Sequence, residues 1–250
     1  MRHILRMIAL VSIVTVALTA AIFANRQTDT EATAQAKPEE ITIAHGSDRR
    51  PSETATDWVT YADHVVVVTP VSEKEIAPAQ TELQRGEGLL LRNVELRVGD
   101  VLWSRPGATT APSAFAWTAY GWHFKDGSTA NRIKMAGEGD SRLELGHTYV
   151  MAIQWEPARC SEGDSVPAGW RGLGTGSTMP FDGGVLGQGE SEGKNQSATQ
   201  ARALADTSSG VLEEQMAGRT ATDLARVLDS AQPVAPQQFG PAARSSAACE

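Results

Sequence analysis

Lysine is scarce in this chain: five residues stand against seventeen arginines, no run of basic side chains appears along its 250 residues, and the net charge is −8. Holding a polyphosphate needs a basic stripe that displaces counterions, so the composition argues against a nucleic-acid partner. Cysteine is nearly absent. Cys160 and Cys249 lie far apart, and no histidine pair has the i, i+4 spacing that puts two ligands on one helical face, so no metal site has a local signature. No G-x-S-x-G elbow surrounds a serine, and the run Gly172-Leu173-Gly174-Thr175-Gly176-Ser177 lacks the following lysine of a phosphate cradle. No cofactor is implied by any of these patterns. The acidic turns Glu138-Gly139-Asp140 and Glu162-Gly163-Asp164 do not supply the spaced oxygens of a calcium loop and read as solvated turns.

What is present begins at the N-terminus. Arg2, His3 and Arg6 precede an apolar run from Met7 to Ala24, interrupted only by Ser12, Thr15 and Thr19. This is the charged-then-apolar order of an export segment. At about 1.5 Å per residue the run reaches roughly 26 Å, the lower limit for a bilayer core of about 30 Å, so both cleavage and retention as a single anchor stay open. No cysteine follows it, which excludes a lipid-modified N-terminus. The expectation is a domain outside the cytoplasm, secreted or held to the membrane by one helix. There an even pair of cysteines reads as one disulfide, Cys160 to Cys249, with two free or intermolecular thiols as the alternative. Closing so long a loop stabilises by about 4–5 kcal/mol in the chain-entropy picture.

Residues 25–57 are polar and read as a disordered tether; 58–190 read as a β-domain, 191–231 as a helical segment and 232–250 as a flexible tail. Strand character is expected from Trp58 and Tyr61 onward, and His64 to Thr69 (HVVVVT) reads as a strand covered on both faces. Ser72 to Gly88 reads as a polar loop. Val94, Leu96 and Val98 alternate with polar residues, and Gly99-Asp100 breaks that alternation as a bulge does. Further strands are expected over Ser113–Phe124, Asn131–Ala136 and Thr148–Trp155, a short one over Gly184–Leu186, and helices over Val211–Met216 and Thr220–Ala231. Thr220 with Asp223 three residues on resembles a capping box there, with Asp in place of the usual Glu or Gln.

The segments Ala62-Asp63-His64-Val65-Val66-Val67-Val68, Val94 to Leu102 and Leu145-Gly146-His147-Thr148-Tyr149-Val150 resemble the core of exported bacterial domains with an OB-like barrel, which is similar to the barrel of tissue metalloproteinase inhibitors. The resemblance implies a mainly β fold, a small OB-like barrel of five or six strands with one or two C-terminal helices. It transfers no functional residue, since inhibitors of that type use an N-terminal cysteine that this chain lacks.

Candidate chemistry is thin. His64, His123 and His147, with Asp63, Asp100, Asp140, Asp182 and Ser177, offer only an arbitrary triad, so no catalytic residue is assigned. The aromatic segment Phe115 to Phe124 is the strongest binding signal: alternation puts Tyr120, Trp122 and Phe124 on one face and Phe115 and Trp117 on the other. Trp117, Tyr120 and Trp122 are the candidate binding residues, with burial of both faces as the competing reading. The expectation is an exported, non-catalytic binding or scaffolding domain whose ligand is a protein or glycan of the cell envelope. The alternatives are an envelope hydrolase with a Ser/His/Asp site and an inhibitor of secreted proteases.

Overall fold

The computed structural model describes residues 39–46, 48, 50–161 and 164–237, and gives the backbone alone for 159–161, 164 and 165. The export segment 1–24, the tether as far as residue 38, the acidic turn at 162–163, the last part of the tail and the expected Cys160–Cys249 disulfide lie outside the described residues.

The first described element is a strand, β1 (Ile41–Ala44), within the stretch expected as tether. A helix follows, α1 (Ala55–Tyr61), where strand was expected. Its physical reason lies just upstream: Thr54 Oγ1 accepts from Asp57 N–H at 3.0 Å and Asp57 Oδ2 accepts from Thr54 N–H at 2.9 Å. This reciprocal cap satisfies two orphan donors of the first turn and outweighs the β preference of Trp58 and Tyr61. Trp58 is fully buried, and its indole N–H reaches the carbonyls of Ser52 and Gly176.

The strands continue as β2 (His64–Ile76), β3 (Gly88–Ser104), β4 (Ala114–Lys125), β5 (Ser128–Gly137), β6 (Tyr149–Glu156), the small hairpin β7 (Arg159–Ser161) with β8 (Asp164–Val166), then β9 (Gly169–Gly172), β10 (Thr178–Pro180), and the hairpin β11 (Gly189–Ser191) with β12 (Lys194–Gln196). The polar stretch read as a loop instead extends β2 to Ile76 and adds the helix α2 (Gln80–Arg85). Gly184–Leu186 is not a strand; a 3₁₀ turn occupies Asp182–Gly184.

Eight strands form one mixed sheet in the order β1-β5-β4-β3-β2-β6-β10, with β9 also on β6. The β1–β5 pair is parallel and the other ladders are antiparallel. The sheet is open, which corrects the expected OB-like barrel. Closure requires the outermost strands to exchange hydrogen bonds. Here, among the described residues, β1 pairs with β5 alone, and β10 is three residues long and ends in Pro180, which has no N–H to donate. The expected bulge is present: Val66 pairs with Val101 and Val68 with Val98, so Gly99 and Asp100 together face Val67. It bends the sheet without closing it.

Both faces of the central strands are buried. On one, Val65, Val150 and Ala152 pack with Trp58, Leu186, Leu212, Leu224 and Leu228. Leu186 comes from the turn before β11, and the others come from α1, from α4 (Leu212–Met216) and from α5 (Ala221–Ser230), which follow α3 (Ala198–Leu204). On the other, Val66, Val68, Val94, Leu96, Tyr149, Met151 and Ile153 form a second layer with Phe115 and Ala119. Thr220 caps α5 through Asp223 as the sequence predicts. Beyond it the chain runs back over α1, where Val234 N–H donates to Thr60 Oγ1 and Gln237 N–H to the Tyr61 hydroxyl.

Candidate functional site

The aromatic strand β4 is not a regular alternation. Leu90 pairs with Trp122 but Leu91 with Tyr120, leaving Gly121 without a partner. A Cβ at this position would collide with the Leu90 carbonyl, so the backbone fits only as glycine. Cross-strand partners share a face. Trp122, opposite Leu90, and Phe124, opposite Gly88, therefore join the face of Phe115 and Trp117, opposite Leu96 and Val94. The face assignment drawn from simple alternation is corrected accordingly.

The carbonyls displaced at this bulge are taken up by two buried arginines. Arg92 Nε donates to Tyr120 O at 2.8 Å and Arg142 Nη2 to Gly121 O at 2.6 Å. Arg92 also reaches Glu73 at 2.5 Å and the Arg142 carbonyl, while Arg142 reaches Met135 O and the Glu144 carboxylate. Burial and the neighbouring Arg92 lower the Arg142 pKa, with Glu144 opposing the shift. The guanidinium of Arg142 lies 5.2 Å from the Trp122 ring centre and that of Arg132 lies 4.1 Å from it. Trp122 thus spends its π face on cations of its own chain. Tyr120 is half-buried beside Gly137.

Next to this clamp lies a carboxylate group. Glu190 accepts from Arg142 N–H, Gly193 N–H and the Tyr149 hydroxyl, yet burial still raises its pKa. Burial also raises Tyr149 and lifts Asp140 well above the ordinary range, with Glu190, Asp48 and Glu213 adding repulsion to Asp140. Glu213 is pushed up to about 7 by burial, then by Glu192 and Glu214. Among the described residues no group of three or more His, Cys, Asp or Glu side chains is arranged to hold a metal ion.

The candidate catalytic residues are not brought together. Ser177 is buried, its hydroxyl donating to Gly174 O and accepting from Leu173 and Gly174 N–H, so it braces its own turn. His147 Nδ1 lies 2.5 Å from Asp182, whose other oxygen accepts from Thr148 N–H. His64 lies between Ser104 Oγ, at 2.8 Å, and Thr109 O, at 2.7 Å. Asp63 pairs with Arg105 and accepts from Trp155 N–H. Asp100 is exposed, and His123 sits in β4 opposite Leu89 and Ile133. In the glycine-rich loop, Asp48 Oδ2 accepts from both the amide and the hydroxyl of Thr175, so a carboxylate of the chain itself fills the place an anion would take.

The most open aromatic surface lies at the far end of β6. Trp155 and Trp170 are cross-strand partners on β6 and β9, their rings 5.6 Å apart and at 71° to each other. Trp155 is 48% exposed. Trp170 leans on His64 at 5.4 Å, and a Cβ at the next outward residue but one, Gly172, would meet the Trp117 ring at 3.2 Å. Trp117 therefore backs the shelf from the β4 side. Asp63, which accepts from the Trp155 amide, brings the Arg105 guanidinium to this end of β6, while Glu156, bonded to Arg50 at 2.7 Å, alternates to the opposite face. Alternation along Thr148–Trp155 puts Trp155 on a strand face with Tyr149, Met151 and Ile153, but Trp170 carries no such signal, because β9 is only four residues long. No family model, curated protein or solved structure matches the chain.

Proposed function

We propose that this chain is an exported, non-catalytic binding module at the cell envelope, delivered by the segment Met7–Ala24, and that it holds a glycan ring against the Trp155–Trp170 shelf. The observation that supports this reading is the half-exposed Trp155 ring, held edge-to-face on Trp170 with its amide tied to Asp63. A pre-positioned indole offers a flat apolar face at little conformational cost, and the nearby Arg105 guanidinium supplies hydrogen bonds to hydroxyls. Trp117 belongs to the reading as the support behind Gly172. Tyr120 and Trp122 enter it indirectly, since they anchor the bulge from which the rest of β4 is aimed.

The test is a titration of intrinsic tryptophan fluorescence with soluble envelope oligosaccharides, peptidoglycan fragments among them, on the purified protein and on Trp155→Ala. A saturable change in the wild type that is lost in Trp155→Ala, with an unchanged near-ultraviolet circular dichroism spectrum away from the lost indole, is the expected result. No response to any oligosaccharide, or an equal response in the variant, overturns the reading. A response to unstructured peptides alone reassigns the shelf to a protein ligand.

A further inference from the structure

The Trp155–Trp170 shelf has a rim, and one short segment makes it. Asp63 is buried and fully engaged: one oxygen accepts from Trp155 N–H at 2.7 Å and the other pairs with Arg105. The guanidinium of Arg105 is thus held one carboxylate's width from the Trp155 backbone. His64 makes a similar link to the second indole. Its ring leans on Trp170 at 5.4 Å, with Ser104 Oγ at 2.8 Å from one nitrogen and Thr109 O at 2.7 Å from the other. The turn that leaves β3 at Ser104, closed by Ala108 N–H on Arg105 O at 3.1 Å, is therefore fastened to both tryptophans.

The hydrogen-bonding capacity of this rim is one-sided. Both Asp63 oxygens and both His64 nitrogens are taken, and Glu156 turns with Arg50 to the opposite face. Arg105 differs. Its side chain is 42% exposed and, among the described residues, only its Nη2 has a partner. A guanidinium carries donors alone and no acceptor. Its Nε and Nη1 groups are therefore open to a ligand and already oriented by the buried carboxylate behind them.

We propose that the glycan held on this shelf is an acidic one, its ring stacked on Trp155 and a ring-borne carboxylate of the hexuronate type received by Arg105; this rests on the reading of the shelf as a glycan seat. A sugar lying flat on an indole extends its equatorial substituents sideways, out of the stack, where a rim group can meet them. The group that stands here only donates. Charge-assisted N–H···O bonds between a guanidinium and a planar carboxylate are about twice as strong as neutral ones, and the fork of Arg105 fits that geometry. A neutral sugar would offer it hydroxyls alone. The net charge of −8 gives no long-range attraction for an anion, so selectivity has to come from this contact rather than from steering.

The experiment titrates the intrinsic tryptophan fluorescence of the full chain, in mild detergent, with soluble oligogalacturonate and with the same oligomer as its methyl ester, which keeps the rings and removes the charge. The wild type is expected to bind the acid roughly tenfold to a hundredfold more tightly than the ester. In Arg105→Gln that preference is expected to vanish, and in Arg105→Lys to survive in part, since lysine keeps the charge without the fork. Trp155→Ala is expected to lose both forms. Equal binding of acid and ester by the wild type, both lost in Trp155→Ala, overturns the inference and leaves the shelf reading standing, as does a response confined to neutral oligosaccharides. A preference unchanged in Arg105→Gln overturns it as well. No response to any oligosaccharide, acidic or neutral, overturns the shelf reading and this inference together. Should Arg105→Gln fail to fold, the acid-to-ester ratio in the wild type and in Arg105→Lys still decides.

Discussion

At the scale of single residues, Gly121 sets more of this molecule than its size suggests. Adding a Cβ there drives it into the Leu90 backbone, which has no side-chain freedom to yield. Gly121→Ala is expected to destabilise by about 2–3 kcal/mol, read as a fall in Tm of about 5–10 °C. Glu213 makes a prediction of a different kind. Its pKa rises from 4.5 to about 7 on folding, so within that window the folded protein keeps a proton that the unfolded chain has released. Stability contributed by that proton is present at acid pH and is lost as the pH rises through about 7. Glu213→Gln is expected to flatten that slope and to gain about 1–3 kcal/mol on its alkaline side, measurable by urea unfolding across pH. A slope unchanged by the substitution would show that another carboxyl governs it. Neither residue was singled out by the sequence. Gly121 lies inside an aromatic run whose alternation looks unbroken, and Glu213 is acidic only in the ordinary way until α4 buries it.

At the scale of elements, local chemistry decided α1. Thr54→Ala removes an N-cap acceptor and is expected to cost about 1 kcal/mol, with exchange of the α1 amides accelerating before those of β3. The same chemistry was read correctly at Thr220 and Asp223, where helix-forming residues follow, and missed at Thr54 and Asp57, where Trp58 and Tyr61 suggested a strand. The β-branched half of β2, the alternation in β3 and the Gly99 bulge were legible because these are local signals, whereas the polar end of β2 from Ser72 to Ile76 was read as loop. β9 was not, and with it half of the aromatic shelf went unread. Four residues that begin and end in glycine have too little periodicity to announce a strand, and Trp170 acquires its role only through its partner on β6. In the candidate site itself, Trp117 was singled out by its strand, whereas the cations over Trp122 come from residues distant in sequence.

At the scale of the whole molecule, patterning was sufficient for a mainly β chain with helices at its end and insufficient for closure. Whether a curved sheet closes depends on which edges meet, and edges meet through pairings such as Ile41 with Lys134 that no local window contains. That parallel pair also bears on how the domain is completed. Under the proposed export, β1 emerges early, yet its sheet neighbour among the described residues lies about ninety residues behind it. At a synthesis rate of about 5–20 residues per second, β5 is made on the order of 5–20 s after β1. During that interval β1 has no ladder to join, so the parallel pair is among the last parts of the sheet to form, and a single early strand depends on the completion of the β4–β5 hairpin behind it.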